Sequence, residues 1–446
     1  MNLCDSVLMV GSALPKPTTS SLARHLTPEW IEETLDATGA ASLRRRRLPA
    51  EQVVWLVIGM ALMRGRSIAE VAAKLDIALP AGGRPVVAAS ALAGARQRLG
   101  AAPLEYLFER TAETWSRPKP ATTWRGLQLL AIDGTTLRVP DTAENCTYFG
   151  RHRSGVHATE SGYPTVRMVV LLATHERLVR TARFAPCDTG ELTVAGEVLA
   201  ATPANSLVIL DRLYSGSPQL LLVAAEVNRH FLVKTKKGAR WEVIRRLGEG
   251  DDLVTITVSD EARTNDPSLP RTWTGRAIQH RTPSGTYVLL TSLIDPVAYP
   301  ADEIRAHYHD RWEVELTYGE IKTDMLDQSS ALLRSGTIEG IHQELWGILL
   351  AYNLVRQEMA AIADEQGVRP SRVSFRAAFL HIVDEFLWCA LATPGAIPKH
   401  LRNLRRDLAH FILPPRREGR SYPRVVKKKE SRYTRKRSTT PSFFTN

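Results

Sequence analysis

Two apolar runs that each end in an aspartate constrain the fold of this chain more than any other feature of its sequence. The first is Leu127-Gln-Leu-Leu-Ala-Ile before Asp133, and the second is Leu207-Val-Ile-Leu before Asp211. Short runs this rich in Leu, Ile and Val are typical of buried β-strands. Because burying an unpaired carboxylate is costly, each aspartate requires a partner or a metal ion. The sequence therefore predicts two buried strands whose ends carry acidic groups.

The third informative segment is charged and extends from Tyr308 to Lys322. Read as a helix at about 100° per residue, it places four polar side chains within roughly 60° of arc. These are Tyr308, Arg311, Glu315 and Lys322. Arginine binds phosphate in a fork, lysine supplies a point charge, and glutamate offers oxygen to a hard cation. The stripe indicates a site for phosphate and a divalent metal, and the alternative is a solvated helix face with salt bridges.

The spacing Tyr-x2-Arg-x3-Glu-x6-Lys in this segment resembles the signature helix of the DDE transposases of the bacterial insertion-sequence-four type. The surroundings of both aspartates are similar to that family as well, in Ala131-Ile-Asp-Gly-Thr135 and in Leu210-Asp-Arg-Leu-Tyr-Ser215. The resemblance covers roughly residues 25 to 410. It implies that the three acids Asp133, Asp211 and Glu315 form one catalytic set.

The resemblance also implies the fold class, which is α/β. We expect a ribonuclease-H-like mixed sheet with a β-strand insertion before the helix of Glu315, and an N-terminal helical domain. The apolar pattern agrees, because it predicts strands at 127–139, 163–174, 178–186, 207–211 and 230–236. Asp188-Thr-Gly-Glu191 predicts a side-chain cap for a helix that follows to about Ala201, with metal ligation by Asp188 as the alternative.

Six regions are expected along the chain. They are a flexible N-terminus (1–25), a helical DNA-binding domain (26–120), the first part of the catalytic domain with Asp133 and Asp211 (121–236), the β insertion (237–300), the last part of the catalytic domain with Glu315 (301–413), and a basic tail (414–446).

The helical region has the pattern of a helix-turn-helix. Residues 51–64 and 67–75 are predicted helices around an Arg64-Gly-Arg66 turn. Small helical domains adopt this arrangement for other reasons too. The run Arg44–Arg47 and the pair Arg96 and Arg98 favour DNA, because such residues contact phosphates. The resemblance implies that this region binds the terminal repeats of the element.

The net charge of +11 is concentrated near the C-terminus. Residues 414–437 contain eleven Lys or Arg against Glu418 and Glu430, which predicts a tail that binds a polyanion, although a disordered solubilising tail has the same composition. Four widely spaced cysteines fit a reduced compartment and argue against a zinc module. With no apolar run long enough to span a bilayer, we expect a cytoplasmic, nucleoid-associated protein without membrane contact.

The chemistry that these residues predict is phosphodiester cleavage and transfer. Two Mg²⁺ ions, for which Mn²⁺ can substitute, can serve the attacking and leaving oxygens, and several carboxylates must converge to hold them. Asp133, Asp211 and Glu315 are the predicted metal ligands. The resemblance implies that the partner is double-stranded DNA, as terminal inverted repeats and target, and we expect a dimer or larger assembly on it. The alternative is a non-catalytic DNA-binding or regulatory protein derived from a transposase.

Further residues are predicted to contact DNA. The resemblance implies that Tyr308, Arg311 and Lys322 hold phosphates near the transferred end. Arg212, beside Asp211, is a candidate for DNA, with a nearby acid as its alternative partner. Hairpin-forming members of the family stack a flipped base on a Trp of the β insertion, which Trp273 or Trp241 could supply. The sequence alone favours an ordinary core or surface aromatic for either residue.

Overall fold

The fold is known from a computed structural model. The structure describes residues 25–41, 48–75, 87–154, 159–283, 285–326, 332–389 and 411–413. The predicted N-terminal segment before His25, the run Arg44–Arg47 and the basic tail lie outside the described residues. Within the described ranges, no helix is long and apolar enough to cross a membrane.

The described residues of the N-terminal part include five helices. They are α1 (Pro28–Ala37), α2 (Ala50–Leu62), α3 (Ile68–Lys74), α4 (Ala89–Leu99) and α5 (Ala102–Trp115). The start of α3 follows from the sequence, because the Ser67 hydroxyl accepts from the Glu70 amide while the Glu70 carboxylate accepts from the Ser67 amide. Helices α2 and α3, joined by a turn that contains Gly65, therefore have the predicted boundaries to within a few residues.

The centre of the molecule is one mixed sheet. Its strands are β1 (Gln128–Arg138), β2 (Arg151–Ser154), β3 (Thr159–Ala173), β4 (Leu178–Pro186), β5 (Ser206–Leu210), β6 (Arg229–Lys234), β7 (Glu242–Gly248), β8 (Asp251–Thr257), β9 (Thr272–Thr282) and β10 (Gly285–Thr291). Their order is β2-β3-β1-β5-β6-β10-β9-β8-β7, and β4 also pairs with β3. Strands β1, β5 and β6 are parallel. The predicted β insertion thus continues the sheet through β10, which pairs antiparallel with β6.

Eight further helices follow β1 in the described residues, and most of them pack on the sheet. They are α6 (Ala143–Phe149), α7 (Glu191–Ala200), α8 (Ser217–Val223), α9 (Asp260–Asn265), α10 (Ala301–His307), α11 (Trp312–Gly319), α12 (Ile338–Gln366) and α13 (Phe375–Cys389). Together with strands β1 to β6, they give the ribonuclease-H-like arrangement that was predicted.

The N-terminal helices share a core with α12. Leu56 and Val57 of α2 belong to the same buried cluster as Trp346 and Leu350 of α12, and Gly347 leaves the space that Val57 fills. Polar contacts reinforce this interface. Arg64 pairs with the buried Glu344, and Arg96 is bound to Gln343 and Ser335.

The prediction that Arg96 contacts DNA phosphate is not supported by its position. Its side chain is mostly buried, and its Nε donates to Gln343 Oε1 at 2.9 Å. The sequence could not show this, because the partner lies 247 residues away along the chain.

Candidate active site

The two predicted aspartates lie at the same end of adjacent parallel strands. Ala131 of β1 is in register with Ile209 of β5, and Asp133 and Asp211 each lie two residues further along. The Asp211 carboxylate accepts a hydrogen bond from the Leu213 amide at 2.5 Å, which fixes a 3₁₀ turn over Arg212–Tyr214. Because parallel strands end together, two aspartates 78 positions apart in the sequence become neighbours.

The environment of Asp133 is dominated by burial and negative charge. Burial first, and then the nearby Glu191 and Asp211, raise the pKa of its carboxyl to about 7. The Gly134 amide, at 2.9 Å from Asp133 Oδ1, and Arg311 act in the opposite direction. Burial and two neighbouring carboxylates thus disfavour the charged form of Asp133 in the absence of a further cation, which suits a donor for a hard cation.

The segment from Tyr308 to Lys322 was predicted to form one regular helix, but in the structure it is divided into three parts. Tyr308–Arg311 form a 3₁₀ turn, Trp312–Gly319 form α11, and Glu320–Met325 form a π-helix in which the Leu326 amide donates to the Ile321 carbonyl at 3.0 Å. The widened final turn separates two sets of contacts. Glu320 faces Arg356 and Tyr352, whereas Lys322 reaches the Thr135 hydroxyl of β1.

This segment packs against the strand of Asp133. The Tyr318 hydroxyl of α11 donates to the Asp133 carbonyl at 2.6 Å. Burial raises the pKa of the Tyr308 phenol above its ordinary value. The four stripe residues are all partly or fully buried, whereas Arg311 and Glu315 form the ion pair that the alternative of a salt-bridged helix face predicts.

Glu315 forms an ion pair with Arg311 in the structure. The Arg311 Nη1 lies 2.8 Å from Glu315 Oε1, one helical turn away. Among the described residues, no group of three or more His, Cys, Asp or Glu is arranged to hold a metal ion. The structure therefore brings Asp133 and Asp211 together and places the helix of Glu315 against β1, and a three-acid metal site stays a prediction.

A basic and aromatic pocket opens beside Asp211. Its volume is about 510 Å³. Its basic and aromatic walls include Arg212, Lys234, Arg305 and Arg311 together with His280, Tyr287, Tyr308 and Trp312. Arg212, Tyr308 and Arg311 thus border one cavity, and their contact with DNA stays a prediction. The Lys234 Nζ lies 4.1 Å from the centre of the Tyr287 ring.

The tryptophans predicted to stack on a flipped base lie elsewhere. Trp273 donates from Nε1 to the Ser217 hydroxyl at 3.0 Å and packs edge-on against Phe231. It belongs, with Trp241, to the surroundings of the core cluster on the face of the sheet opposite to Tyr287. The prediction for Trp273 is therefore not supported by its position. Tyr287, in β10, is an aromatic that does line the pocket.

Glu191 is a site residue that the sequence interpretation missed. The cap predicted from Asp188 is wrong, because α7 begins after Gly190 without a side-chain cap. Glu191, the first residue of α7, instead turns into the site, where the Tyr214 hydroxyl donates to its Oε1 at 2.8 Å. The signal in the sequence was the glycine after Asp133, since a side chain at Gly134 would collide with the Glu191 carboxylate.

Comparison with known proteins identifies the class of enzyme that this fold and these acids define. Residues 124–354 match the family model described as the transposase DDE domain. Residues 17–109 match the insertion element 4 transposase N-terminal model. The protein is a DDE transposase, an enzyme class that depends on divalent metal.

Similar proteins narrow the class. The chain is 39% identical to the transposase InsG for insertion sequence element IS4 of Escherichia coli K12, over 94% of either chain. It is 34% identical to the putative transposase InsZ of the same organism, over 52% of this chain and 76% of that protein. A piggyBac transposase synaptic complex with hairpin DNA is similar with a TM-score of 0.45 at 11% identity, over 91% of this chain and 87% of that one. This chain belongs to the insertion element 4 family of DDE transposases, as the sequence motifs predicted.

Proposed function

We propose that this transposase binds the terminal inverted repeats of an insertion sequence, cleaves the DNA at the element ends and joins the 3′-hydroxyls to target DNA. The observation that carries the proposal is the pair of aspartates at the ends of β1 and β5, beside a pocket with basic and aromatic walls. A carboxylate pair suits metal-assisted phosphoryl transfer, and the pocket has the groups that bind phosphates and bases.

Mg²⁺ is the proposed metal, as two ions, with Mn²⁺ as a substitute. Asp133 and Asp211 would hold it, and Glu315 would join them once released from Arg311. The burial of Asp133 and the neighbouring Glu191 and Asp211 carboxylates, which raise its pKa, support this assignment. The metal would supply Lewis acidity toward the phosphate oxygens and favour a deprotonated nucleophile.

The protein groups have separate proposed roles. Arg311 and Lys322 bind phosphate oxygens near the transferred end and offset the negative charge that grows there. Because Arg311 pairs with Glu315 in the structure, binding of a phosphate by Arg311 would free the Glu315 carboxylate. Tyr308 and Arg212 orient the strand in the same pocket.

Alanine at each acid tests the assignment. A plasmid that carries both element ends is incubated with Mg²⁺ and with Asp133→Ala, Asp211→Ala or Glu315→Ala protein. We expect cleavage to be abolished while binding of a labelled end fragment is kept. Glu197→Ala, which changes an exposed carboxylate of α7, is the matched control and should cleave normally. Cleavage at the wild-type rate by any of the three variants would refute the role of that acid.

The alternative, a non-catalytic regulator, makes a different prediction for the wild-type protein. It would bind element ends without nicking them under Mg²⁺ or Mn²⁺. A strand-transfer assay with pre-cleaved ends then separates a transposase from a nuclease of the same fold, because only the former joins the 3′-hydroxyl to a second DNA molecule.

The position of Tyr287 supports a role in stacking an unpaired base. We expect Tyr287→Ala to lower the rate of end processing roughly tenfold or more, since stacking of one base contributes about 1–3 kcal/mol. Tyr287→Trp should retain activity, and Trp273→Phe is the control outside the pocket. A 2-aminopurine placed at the element end reports the unstacked base by fluorescence. Equal activity of Tyr287→Ala and wild type would exclude this residue as the stacking platform.

A further inference from the structure

Glu191 links the two aspartate-bearing elements of the site. Its Oε1 accepts from the Tyr214 hydroxyl, and Tyr214 is the last residue of the turn that Asp211 begins. Its carboxylate also lies directly over Gly134, the residue after Asp133, where a Cβ atom would overlap it. One carboxylate therefore touches the turn of Asp211 on one side and the strand of Asp133 on the other.

The surroundings of Glu191 hold its side chain in place. Arg167 of β3 lies 3.4 Å from Glu191 Oε2, and its Nε donates to the Thr189 carbonyl at 2.9 Å, so it binds both the start of α7 and the carboxylate. The Tyr214 ring is fully buried, and the Glu191 side chain is only 19% exposed. With both partners packed, the hydrogen bond between Tyr214 and Glu191 is a rigid connection rather than a surface contact.

We propose that Glu191 is a positioning residue that, through Tyr214 and the space over Gly134, fixes the separation of the Asp133 and Asp211 carboxylates and thereby sets the affinity of the site for divalent metal. The inference rests on the proposed function, because it requires that Asp133 and Asp211 bind the metal. Outer partners of metal ligands commonly have this effect, and their loss weakens metal binding roughly tenfold or more.

The test measures Mn²⁺ binding to the DNA-free full-length protein by electron paramagnetic resonance, which is independent of catalysis. Glu191→Ala and Tyr214→Phe each remove the connection and should raise the Mn²⁺ dissociation constant roughly tenfold. Glu191→Gln keeps an oxygen that can accept from Tyr214, and it should remain within about twofold of wild type if position is what counts. Glu197→Ala, on the exposed side of the same helix, is the matched control and should bind Mn²⁺ as wild type does.

Other results overturn the proposal. If Glu191→Gln binds Mn²⁺ as weakly as Glu191→Ala does, the negative charge of Glu191 sets the affinity, and its hydrogen bond with Tyr214 does not. If Tyr214→Phe binds Mn²⁺ like wild type, the hydrogen bond between Tyr214 and Glu191 does not set the affinity for the metal. If Glu191→Ala does not fold, the result for Tyr214→Phe decides the question by itself. Asp133→Ala separates a failure of the proposed metal site from a failure of the proposed role of Glu191. Wild-type affinity no better than that of Asp133→Ala would refute the metal site itself, whereas tight wild-type binding with unchanged Glu191→Ala binding refutes only the role of Glu191.

Discussion

At Asp133 the fold raises the pKa of a carboxyl to about 7, chiefly by burial. In the unfolded chain the pKa of the same carboxyl is near its ordinary value of 3.8. Folding of the metal-free protein therefore takes up a proton between these values, and stability falls as the pH rises from about 4 to about 7. Asp133→Asn lacks this titration. We expect it to exceed the wild type in stability above pH 7 by about 2–4 kcal/mol and to lose the advantage near pH 4.

Urea denaturation in the presence of a chelator at pH 5 and pH 8 measures this difference. Glu197→Gln serves as the control, because the Glu197 side chain is 72% exposed and should give the same small change at both values. An equal effect of Asp133→Asn at pH 5 and pH 8 would show that the carboxyl ionises in the folded protein as it does in the unfolded chain.

Single residues differ in how far the sequence reveals their surroundings. Asp133 and Asp211 were predictable because a polar residue at the end of an apolar run is conspicuous. Trp273 was not, since the face of the sheet on which an aromatic lies depends on strand pairing, and β10 rather than β9 pairs with β6. The role of Glu191 was not predicted, because Asp188, three residues earlier, matched the pattern of a helix cap. That role is visible only once Tyr214 and Gly134 are close to Glu191.

The segment of Glu315 is anchored as an element by buried ion pairs. Glu320 pairs with Arg356 of α12 and accepts from the Tyr352 hydroxyl at 2.8 Å. On the other side, Arg177 binds Glu313 and Glu320. Since the Arg356 side chain is fully buried, removing it breaks a buried ion pair and leaves Arg177 as the remaining charged partner of Glu320. Such losses cost about 3–5 kcal/mol.

We therefore expect Arg356→Leu to lower the free energy of unfolding by about 3–5 kcal/mol in chemical denaturation, and to weaken end cleavage along with it. The matched control is Arg376→Leu, because Arg376 pairs with Asp324 at 3.8 Å from a largely exposed position. A pair of that kind contributes about 0–1 kcal/mol. Similar losses for both variants would mean that the buried pair does not anchor the segment.

Elements were predicted better than their internal geometry. Strands β1, β3, β4, β5 and β6 follow the apolar runs, because a run of Leu, Ile and Val has few other ways to be buried. The change from 3₁₀ to α to π in the segment of Glu315 was not predictable from periodicity. It depends on contacts with Arg356 and Thr135, which lie 36 residues from Glu320 and 187 from Lys322. Periodicity reports the local pattern and not distant partners.

For the whole molecule, the charge distribution makes a prediction about affinity for DNA. Residues 414–446 carry most of the net charge of +11. If they contact phosphates, deleting them should weaken DNA binding and reduce the slope of log affinity against log salt concentration, because fewer counterions are released. Fluorescence anisotropy of a labelled end fragment at several salt concentrations gives both quantities. A weaker affinity with an unchanged slope would mean that the tail does not bind phosphate.

The shared core of the N-terminal helices and α12 predicts that these parts unfold together. A Cβ at Gly347 of α12 would lie 2.6 Å from Val57 Cγ1 of α2, so Gly347→Ala should overpack the interface and cost about 1–3 kcal/mol. Gly196→Ala in α7, where nothing lies within 4 Å, should instead stabilise by about 0.5–1 kcal/mol.

Hydrogen exchange monitored by mass spectrometry shows where that loss is felt. Because Val57 lies in the same cluster as Trp346 and Leu350, we expect Gly347→Ala to lower the protection of α2 and of α12 by the same amount. Lower protection in α2 alone would mean that the N-terminal helices open as an independent unit, and the helical region would then be a separate domain energetically. An equal loss in both helices means that the N-terminal helices open as one cooperative unit with the long helix whose Arg356 anchors the segment of Glu315.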